Sequence, residues 1–247
     1  MRAGQRTTAN LAGAVVPDGY SRSPRLVKGA LVALGEPFLG PIPNIIVFQY
    51  NPESFTRSLT PWTPPAEEEG GESDVDPTAQ PFDPAESFDL TLELDATDAL
   101  ESGDPVAVLT GVADRIAALE VLLYPGDQSA LGAALSGLFG GGDEAVPRAS
   151  VPVLLFIWGP GRIVPVRITS FSVEEQAFSP TLYPLRATVT LGLLVLTPEA
   201  FEKPGKTLTA SEELAVTAYK FTMSQRELLA RANLANSAES ILGMLPI

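Results

Sequence analysis

Three consecutive strand-like runs between Val151 and Thr197 constrain the fold more than any other feature of this chain. The first is followed by a turn at residues 159–161, and the next two begin at Ile163 and Pro184. In the third run, apolar residues alternate with polar or small ones, which is the pattern of a strand with one buried face. The apolar set is Leu185, Ala187, Val189, Leu191, Leu193 and Val195. Short turns between such runs predict neighbouring antiparallel strands.

The second run contains an irregularity. Val164, Val166 and Ile168 share one parity, but Phe171 and Val173 have the opposite parity. Because side chains alternate between the two faces of a strand, this switch requires an extra residue for all of them to share one face. We therefore predict a β-bulge or bend near Ser170.

The N-terminal half predicts further strands and one helix. Two short apolar runs, Leu26–Leu34 and Asn44–Tyr50, are separated by glycines and prolines, which favours a pair of strands over a helix. Alternate residues are apolar from 88 to 94, as in another half-buried strand. Asp104-Pro105 has the form of a helix start, because the carboxylate accepts free N–H groups and proline needs no partner there. Apolar spacings of three and four then predict one amphipathic helix ending near residue 123.

These elements predict an α+β domain at residues 25–198, built on an antiparallel sheet or a partly closed barrel with one packed helix. Residues 1–24 are rich in Gly, Ala, Ser, Thr and Arg and predict a flexible arm. Proline and acidic residues at about 64–84 predict a mobile acidic loop. The apolar, glycine-rich segment Ser129–Ala145 is interpreted as a loop over the core or as a plug for a neighbouring subunit.

The C-terminal segment, residues 207–247, predicts a small additional module. Residues 209–212 and 224–227 each have the form of a capping box, in which a hydroxyl and an acid accept each other's backbone N–H groups. We predict two short helices, the second ending at Asn233, a residue type that tolerates the conformation found past helix ends. In the first helix, the side chains expected to face inward are those of Leu214, Ala218 and Phe221.

Composition excludes several classes of function. The chain has no histidine, which is the usual acid–base group near neutral pH and the commonest metal ligand. It has no cysteine, which excludes disulfides, thiol nucleophiles and cysteine-bound zinc. A formal net charge of −14 disfavours binding to nucleic acid. We therefore predict that the protein is not an enzyme, takes no cofactor or metal and binds no nucleic acid.

The same sequence gives an expectation about localisation. No stretch approaches the roughly 18 consecutive apolar residues of a membrane-spanning helix. The apolar run Leu11–Val16 is shorter than the core of a signal peptide. We predict cytoplasmic synthesis and no direct insertion into a membrane.

Short sequence words occur in a particular order along the first domain. The word F-x-x-N-P is formed by Phe48, Asn51 and Pro52, and the word W-G by Trp158-Gly159. The word P-L-R-A follows at residues 184–187. In this order, over about residues 26–197, they resemble the tube and baseplate proteins of contractile injection systems, the phage-tail-like syringes of bacteria. Trp158 ends an apolar run and is expected to be a buried anchor.

The C-terminal segment carries a second resemblance. Residues 227–233 read ELLARAN, and this phrase follows the first predicted helix. Over about residues 207–247, the pattern of two short helices with such a phrase resembles the LysM module.

Together, the two resemblances imply a structural role. Family members with this layout are similar to baseplate adaptors, which form a hexameric ring that connects the inner tube to the hub and spike. The implied partners are identical copies, the inner tube protein, the hub or spike protein and other baseplate subunits, in a phage-tail-like particle that stays in the cytoplasm or is released. An inner tube or tube-capping subunit is the nearest alternative, and a peptidoglycan-binding LysM protein is the alternative of another class. The residues assigned to structure and assembly are Phe48, Asn51, Pro52, Trp158, Gly159, Leu185, Arg186, Leu228 and Asn233.

Overall fold

A computed structural model describes residues 27–34, 45–63, 76, 78–124, 151–203 and 205–242. Its centre is one antiparallel sheet of seven strands in the order β2-β1-β5-β6-β7-β4-β3. The strands are β1 (Ala30–Leu34), β2 (Ile45–Val47), β3 (Phe55–Thr60), β4 (Ala85–Asp95), β5 (Val153–Ile157), β6 (Ile163–Phe178) and β7 (Pro184–Val195). The α+β class and the antiparallel sheet expected from the sequence are confirmed.

The sheet is open rather than a partly closed barrel. Strands β2 and β3 lie at its two ends, and in the described part of the chain they do not pair with each other. The predicted pairing of the two N-terminal runs is correct, since β1 and β2 are antiparallel with Leu31 opposite Ile46. The sheet therefore ends in two edge strands, which in any sheet present backbone N–H and C=O groups to possible partners.

The predicted bulge in β6 is confirmed. The register with β7 shifts between Ile168, opposite Leu193, and Ser170, opposite Gly192. A Cβ atom at Gly192 would lie only 2.4 Å from Ser170 Oγ, so any larger residue opposite the bulge would require the Ser170 side chain to move. The bulge keeps Ile168 and Phe171 on the same side of the sheet despite their opposite parity.

The main core lies on one face of the sheet. The buried residues of β4 are at alternate positions, and those of β7 include the predicted set from Ala187 to Val195. Ile116 and Leu119 pack onto this face from the helical segment described next. On the opposite face Thr91, Glu93 and Thr190 are exposed. Each large apolar side chain buried in this way stabilises the fold by about 1.5–3 kcal/mol relative to exposure.

The helix predicted between Val106 and Leu123 is interrupted. The described helices here are α1 (Thr97–Glu101), α2 (Pro105–Thr110) and α3 (Ala113–Glu120), followed by a 3₁₀ turn (Val121–Leu123). The predicted start is correct, because Asp104 Oδ1 accepts hydrogen bonds from Val106 N and Ala107 N at 3.0 and 2.9 Å. The prediction of one continuous helix is wrong.

The interruption lies at Gly111, which has a φ of +58°. The next amide, Val112 N, donates to Pro184 O at 2.9 Å, outside the helix. A Cβ atom at Gly111 would lie 2.0 Å from Pro184 O. The close approach of the β7 backbone therefore requires glycine and breaks the helix at this residue.

The C-terminal module contains one long helix instead of two short ones. After α4 (Pro198–Phe201), helix α5 runs without a break from Ala210 to Leu242, 33 residues. Its predicted start is confirmed, with Thr209 N donating to Glu212 Oε2 at 2.9 Å and Glu212 N donating to Thr209 Oγ1 at 3.3 Å. No glycine or proline lies between 210 and 242, so nothing local ends the helix.

The second predicted cap and the predicted helix end at Asn233 are wrong. Ser224 lies inside α5, where its hydroxyl donates to Phe221 O at 2.7 Å, and Asn233 also lies inside the helix. Leu214 and Phe221 are exposed instead of buried. The buried stripe consists of Ala215, Ala218, Tyr219 and Thr222, spaced as one helix face requires, so only Ala218 was assigned correctly.

Some sequence predictions lie outside the described residues. These are the arm at 1–24, the segment Ser129–Ala145 and most of the acidic loop at 64–84. Across the described part of the chain, no helix has both the length and the apolar character needed to cross a membrane.

Candidate assembly surfaces

The hairpin formed by β6 and β7 extends beyond β5. Strand β5 pairs with β6 only from Ile163 to Val166, whereas β6 continues in register with β7 as far as Phe178 opposite Pro184. From Ser170 onward, β6 is thus paired with β7 on one side, and no other described strand pairs with its outer side. Strand β7 is paired with β4 as far as Arg186, so the open edge of the hairpin is the outer side of β6 from Ser170 to Phe178.

The end of this hairpin carries exposed apolar side chains. Leu182 is 79% exposed, and Phe178 and Tyr183 are also exposed. Leu182 has a φ of +66° and Ala177 a φ of +54°, conformations that residues with a Cβ atom rarely adopt. We call Phe178, Leu182 and Tyr183 the hairpin end.

Hydrogen bonds hold the turn of the hairpin end in one shape. Ser179 N donates to Tyr183 O at 2.8 Å, and Leu182 N donates to Ser179 O at 2.9 Å. The Ser179 hydroxyl accepts from Tyr183 N at 3.1 Å and lies 3.0 Å from Thr181 Oγ1. The exposed apolar group is therefore pre-organised, which lowers the entropy lost on binding.

An open groove of about 430 Å³ lies between β2, β4 and α3. Its apolar lining includes Ile45, Val47, Leu92 and Ala118, and Ile45 is 54% exposed. We call this the β2–α3 groove. Its volume is in the range of sites that hold a compact ligand or a few side chains.

Polar groups order one wall of the β2–α3 groove. The Gln49 amide donates to Asp95 O at 2.7 Å and accepts from Asp95 N at 3.0 Å. Arg115 donates to the same Gln49 oxygen, and Lys28 Nζ donates to Gln49 O at 2.9 Å. Lys28 and Arg115 bring two positive charges to the groove, and Asp114 brings one negative charge.

A buried charge network attaches α5 to the sheet. Glu86, only 3% exposed, accepts a hydrogen bond from Arg57 Nε at 2.6 Å. Both of its carboxylate oxygens also accept from Arg226 Nη2, at 2.6 and 2.7 Å. Because β3 supplies Arg57, β4 supplies Glu86 and α5 supplies Arg226, one carboxylate joins three elements.

Two further polar contacts continue this attachment. The Thr222 hydroxyl donates to Ile163 O at 2.7 Å and accepts from Ile163 N at 2.9 Å, so it pairs with β6 as a neighbouring strand would. The Tyr219 hydroxyl donates to Asp83 Oδ2 at 2.8 Å. Burial raises the pKa of Tyr219 well above its ordinary range, and the hydrogen bond to Asp83 adds to this.

An aromatic cluster lies beside the charge network. Trp158 is partly buried and packs edge-on against Phe55 at 5.0 Å between ring centres. Arg162 lies over Phe55 and Phe88, at 5.4 and 5.7 Å from the ring centres. Burial lowers the pKa of Arg162, and the positive charge of Arg57 lowers it further. Phe48 is also part of this cluster, 6.5 Å from Trp158.

The F-x-x-N-P word holds β1 and β2 together. The Asn51 side chain donates to Val27 O and accepts from Gly29 N, both at 2.8 Å. Phe48 N donates to Gly29 O at 2.9 Å, while its ring is buried. Pro52 follows directly and is partly exposed. A Cβ atom on Gly29 would come within 2.8 Å of both Phe48 and Trp158, which ties this word to the W-G word.

Some of the other predicted residues have structural contacts, and the rest are exposed on the surface. Gly159 has a φ of +72° in the turn after β5. Leu185 is partly buried, and Arg186 Nε is 2.8 Å from Asp95 Oδ2. Leu228 and Asn233 are exposed on α5. Within the described residues, most of the predicted set therefore has intramolecular contacts, and the structure does not bring it together as one site.

The part of α5 that follows Arg226 is exposed from Glu227 to Leu234. Every described side chain from Glu227 to Leu234 is exposed, among them Leu228, Leu229 and Leu234, and Leu229 is 69% exposed. At 1.5 Å per residue, the part from 227 to 234 is about 12 Å long. We call it the projecting part of α5.

Sequence reasoning missed the charge network and the hairpin end. Glu86 has the same parity as Phe88 and Leu90 in β4, so an acid on the apolar side of a regular strand was a readable signal. Its two arginine partners lie 29 and 140 residues away along the chain, and no local pattern indicates them.

No protein-family model matches the chain, and no curated protein is significantly similar to it.

Proposed function

We propose that this chain is a structural baseplate subunit of a contractile injection system, which forms a hexameric ring connecting the inner tube to the hub and spike. The observation that carries this proposal is the extended β6–β7 hairpin, which presents an open edge and a pre-organised apolar end. Neighbouring exposed apolar groups on a protein surface are typical of sites that bind another protein. The order of the sequence words adds to this support.

The geometry favours contacts between unlike surfaces of identical copies. The hairpin lies in the middle of the sheet order, whereas β2 and β3 lie at its ends. A contact between two different surfaces repeats from copy to copy and closes into a ring when the rotation is suitable. Such a ring also covers strand edges that would otherwise promote aggregation.

The projecting part of α5 favours an adaptor over a plain tube subunit. A tube subunit needs contacts only to copies of itself, whereas an adaptor also needs a surface for a different protein. Leu228, Leu229 and Leu234 provide exposed apolar groups about two to three turns beyond the α5 attachment at Thr222. The continuous helix lacks the two-helix pattern on which a glycan-binding reading rested.

The test uses the purified full chain, native mass spectrometry and negative-stain electron microscopy. Closed six-membered rings are the expected result. Filaments would favour the tube-subunit alternative, and a monomer at all concentrations would overturn the ring. Co-sedimentation with peptidoglycan, measured on the same sample, would support the glycan-binding alternative.

A truncation then tests the adaptor role. Because Ala215, Val216 and Tyr219 are buried, the chain is ended after Arg226 and not at 207. In a producing strain that lacks the natural chain, we expect the truncated protein to fold and form rings but not to restore contractile particles. Full restoration by the truncated protein would rule out the adaptor role.

A further inference from the structure

The hairpin end has a shape and exposure that the described contacts of its own chain do not explain. Leu182 combines 79% exposure with a φ of +66°, and Phe178 and Tyr183 are exposed beside it. Strained residues of this kind persist where the surroundings fix them, and they are frequent at binding sites. The turn of the hairpin end is fixed by hydrogen bonds at Ser179, so its apolar side chains stay directed outward.

The β2–α3 groove offers an apolar, open surface of suitable size. Its volume is about 430 Å³, and Ile45 and Val47 on its β2 wall are exposed. The hairpin end of the same molecule is exposed as well. The hairpin end therefore does not fill the groove of its own chain. A contact between the two surfaces requires two molecules.

Charge complementarity favours a second copy of this chain as the occupant of the groove. Glu174 and Glu175 are exposed on β6 just before the hairpin end. The groove presents Lys28 and Arg115, with Asp114 as the one acidic side chain in its lining among the described residues. Opposite charges beside complementary apolar groups favour one orientation of binding.

We propose that the hairpin end of one copy binds in the β2–α3 groove of a second copy. This contact rests on the proposed function, because it supplies the repeated head-to-tail interface from which the ring is built. Phe178 and Leu182 enter between β2 and α3. Glu174 and Glu175 project from opposite faces of β6, so one of the two carboxylates lies toward Lys28 of the next copy.

The absence of cysteine from the chain allows a direct test by cross-linking. Leu182→Cys and Ile45→Cys are prepared as separate full-length variants, one with a mass tag, and mixed under mild oxidation. We expect disulfide-linked pairs of unlike chains in the mixture and few in either variant alone. The control pairs Ile45→Cys with Thr190→Cys, which is exposed on the polar face of the sheet, and should give no such product.

Leu182 cross-links between identical variants would instead indicate a two-fold contact and would overturn the proposal. Rings that form without the Leu182–Ile45 product would also overturn it, while leaving the proposed ring function intact. A chain that never associates would overturn both the hairpin–groove contact and the proposed ring. The three results are distinguishable in one set of samples.

A charge exchange tests the orientation. Glu174→Lys combined with Glu175→Lys should weaken ring formation about three- to tenfold, because each exposed pair contributes modestly. Lys28→Glu should weaken it similarly, and the triple variant should recover part of the loss. Circular dichroism verifies folding, since all three residues are exposed. Equal weakening in the triple variant and the double variant would contradict the proposed orientation.

Discussion

Replacement of Glu86 by leucine should destabilise the protein by about 3–5 kcal/mol, because it leaves two arginines without their shared carboxylate. Glu86 is 3% exposed and accepts three short hydrogen bonds from Arg57 and Arg226. Arg162 adds a third positive charge nearby. Arg57 and Arg226 are 30% and 27% exposed, so both guanidinium groups can partly regain water. The loss should therefore lie near 3 kcal/mol, still a large part of the ~5–15 kcal/mol typical of a domain.

Removal of one arginine should destabilise the protein less than replacement of Glu86. Arg226→Met leaves Glu86 with its bond to Arg57, so we expect a loss of about 1.5–3 kcal/mol, the contribution of hydrogen bonds to a charged group. The double variant Glu86→Leu with Arg226→Met places apolar groups on both sides of the former pair. Its loss should be smaller than the sum of the two single losses by about 0.5–3 kcal/mol.

Urea unfolding followed by circular dichroism measures these differences. The matched control is Glu227→Gln, one helical position after Arg226, because Glu227 and Arg231 are 3.8 Å apart and both exposed. This control should change the free energy of unfolding by less than about 0.5 kcal/mol. If Glu86→Leu costs no more than the control, or if the two single losses simply add, the network does not attach α5 as described.

Three further changes test other parts of the structure. Gly111→Ala should cost about 2–4 kcal/mol in urea unfolding, because a Cβ atom would meet Pro184 O at 2.0 Å in a left-handed backbone conformation. A loss below about 0.5 kcal/mol, the ordinary effect of a surface change, would contradict this contact. Trp158→Ala should cost about 3 kcal/mol, at the low end for tryptophan because the indole is partly buried, and an unchanged melting temperature would show that its aromatic contacts contribute little. The raised pKa of Tyr219 means that the folded protein favours the neutral phenol. Its contribution to the free energy of unfolding is therefore fully present below the ordinary pKa of 10.0 and decreases as pH rises above that value. Tyr219→Phe should flatten this alkaline loss in melts at increasing pH, whereas an identical slope in both proteins would refute the assignment.

Local patterns predicted much of the sheet and several element boundaries. The alternation in β4 and β7, the bulge near Ser170 and the cap at Asp104 all depend on residues close together in the chain, and the structure confirms each. The β1–β2 pairing was also predicted, because glycines and prolines between two apolar runs leave little choice but a strand pair.

Other features were decided only by tertiary contacts. The helix break at Gly111 depends on the approach of Pro184 from β7, and the inward face of α5 depends on which strands it meets. The candidate assembly surfaces also depend on tertiary contacts. Ile45 and Leu182 are single apolar residues in the sequence, and only the fold leaves one on an open groove and the other at the end of a hairpin.

Glu86 illustrates the physical reason for this division. Hydrophobic periodicity and caps act over three or four residues, so the sequence by itself determined most of the strands, the bulge and the helix starts at Asp104 and Thr209. A buried carboxylate is tolerated only when charged donors reach it, and those donors come from Arg57 and from Arg226, 140 residues away. Whether that position is buried and stabilising was decided when β3, β4 and α5 came together in the tertiary structure.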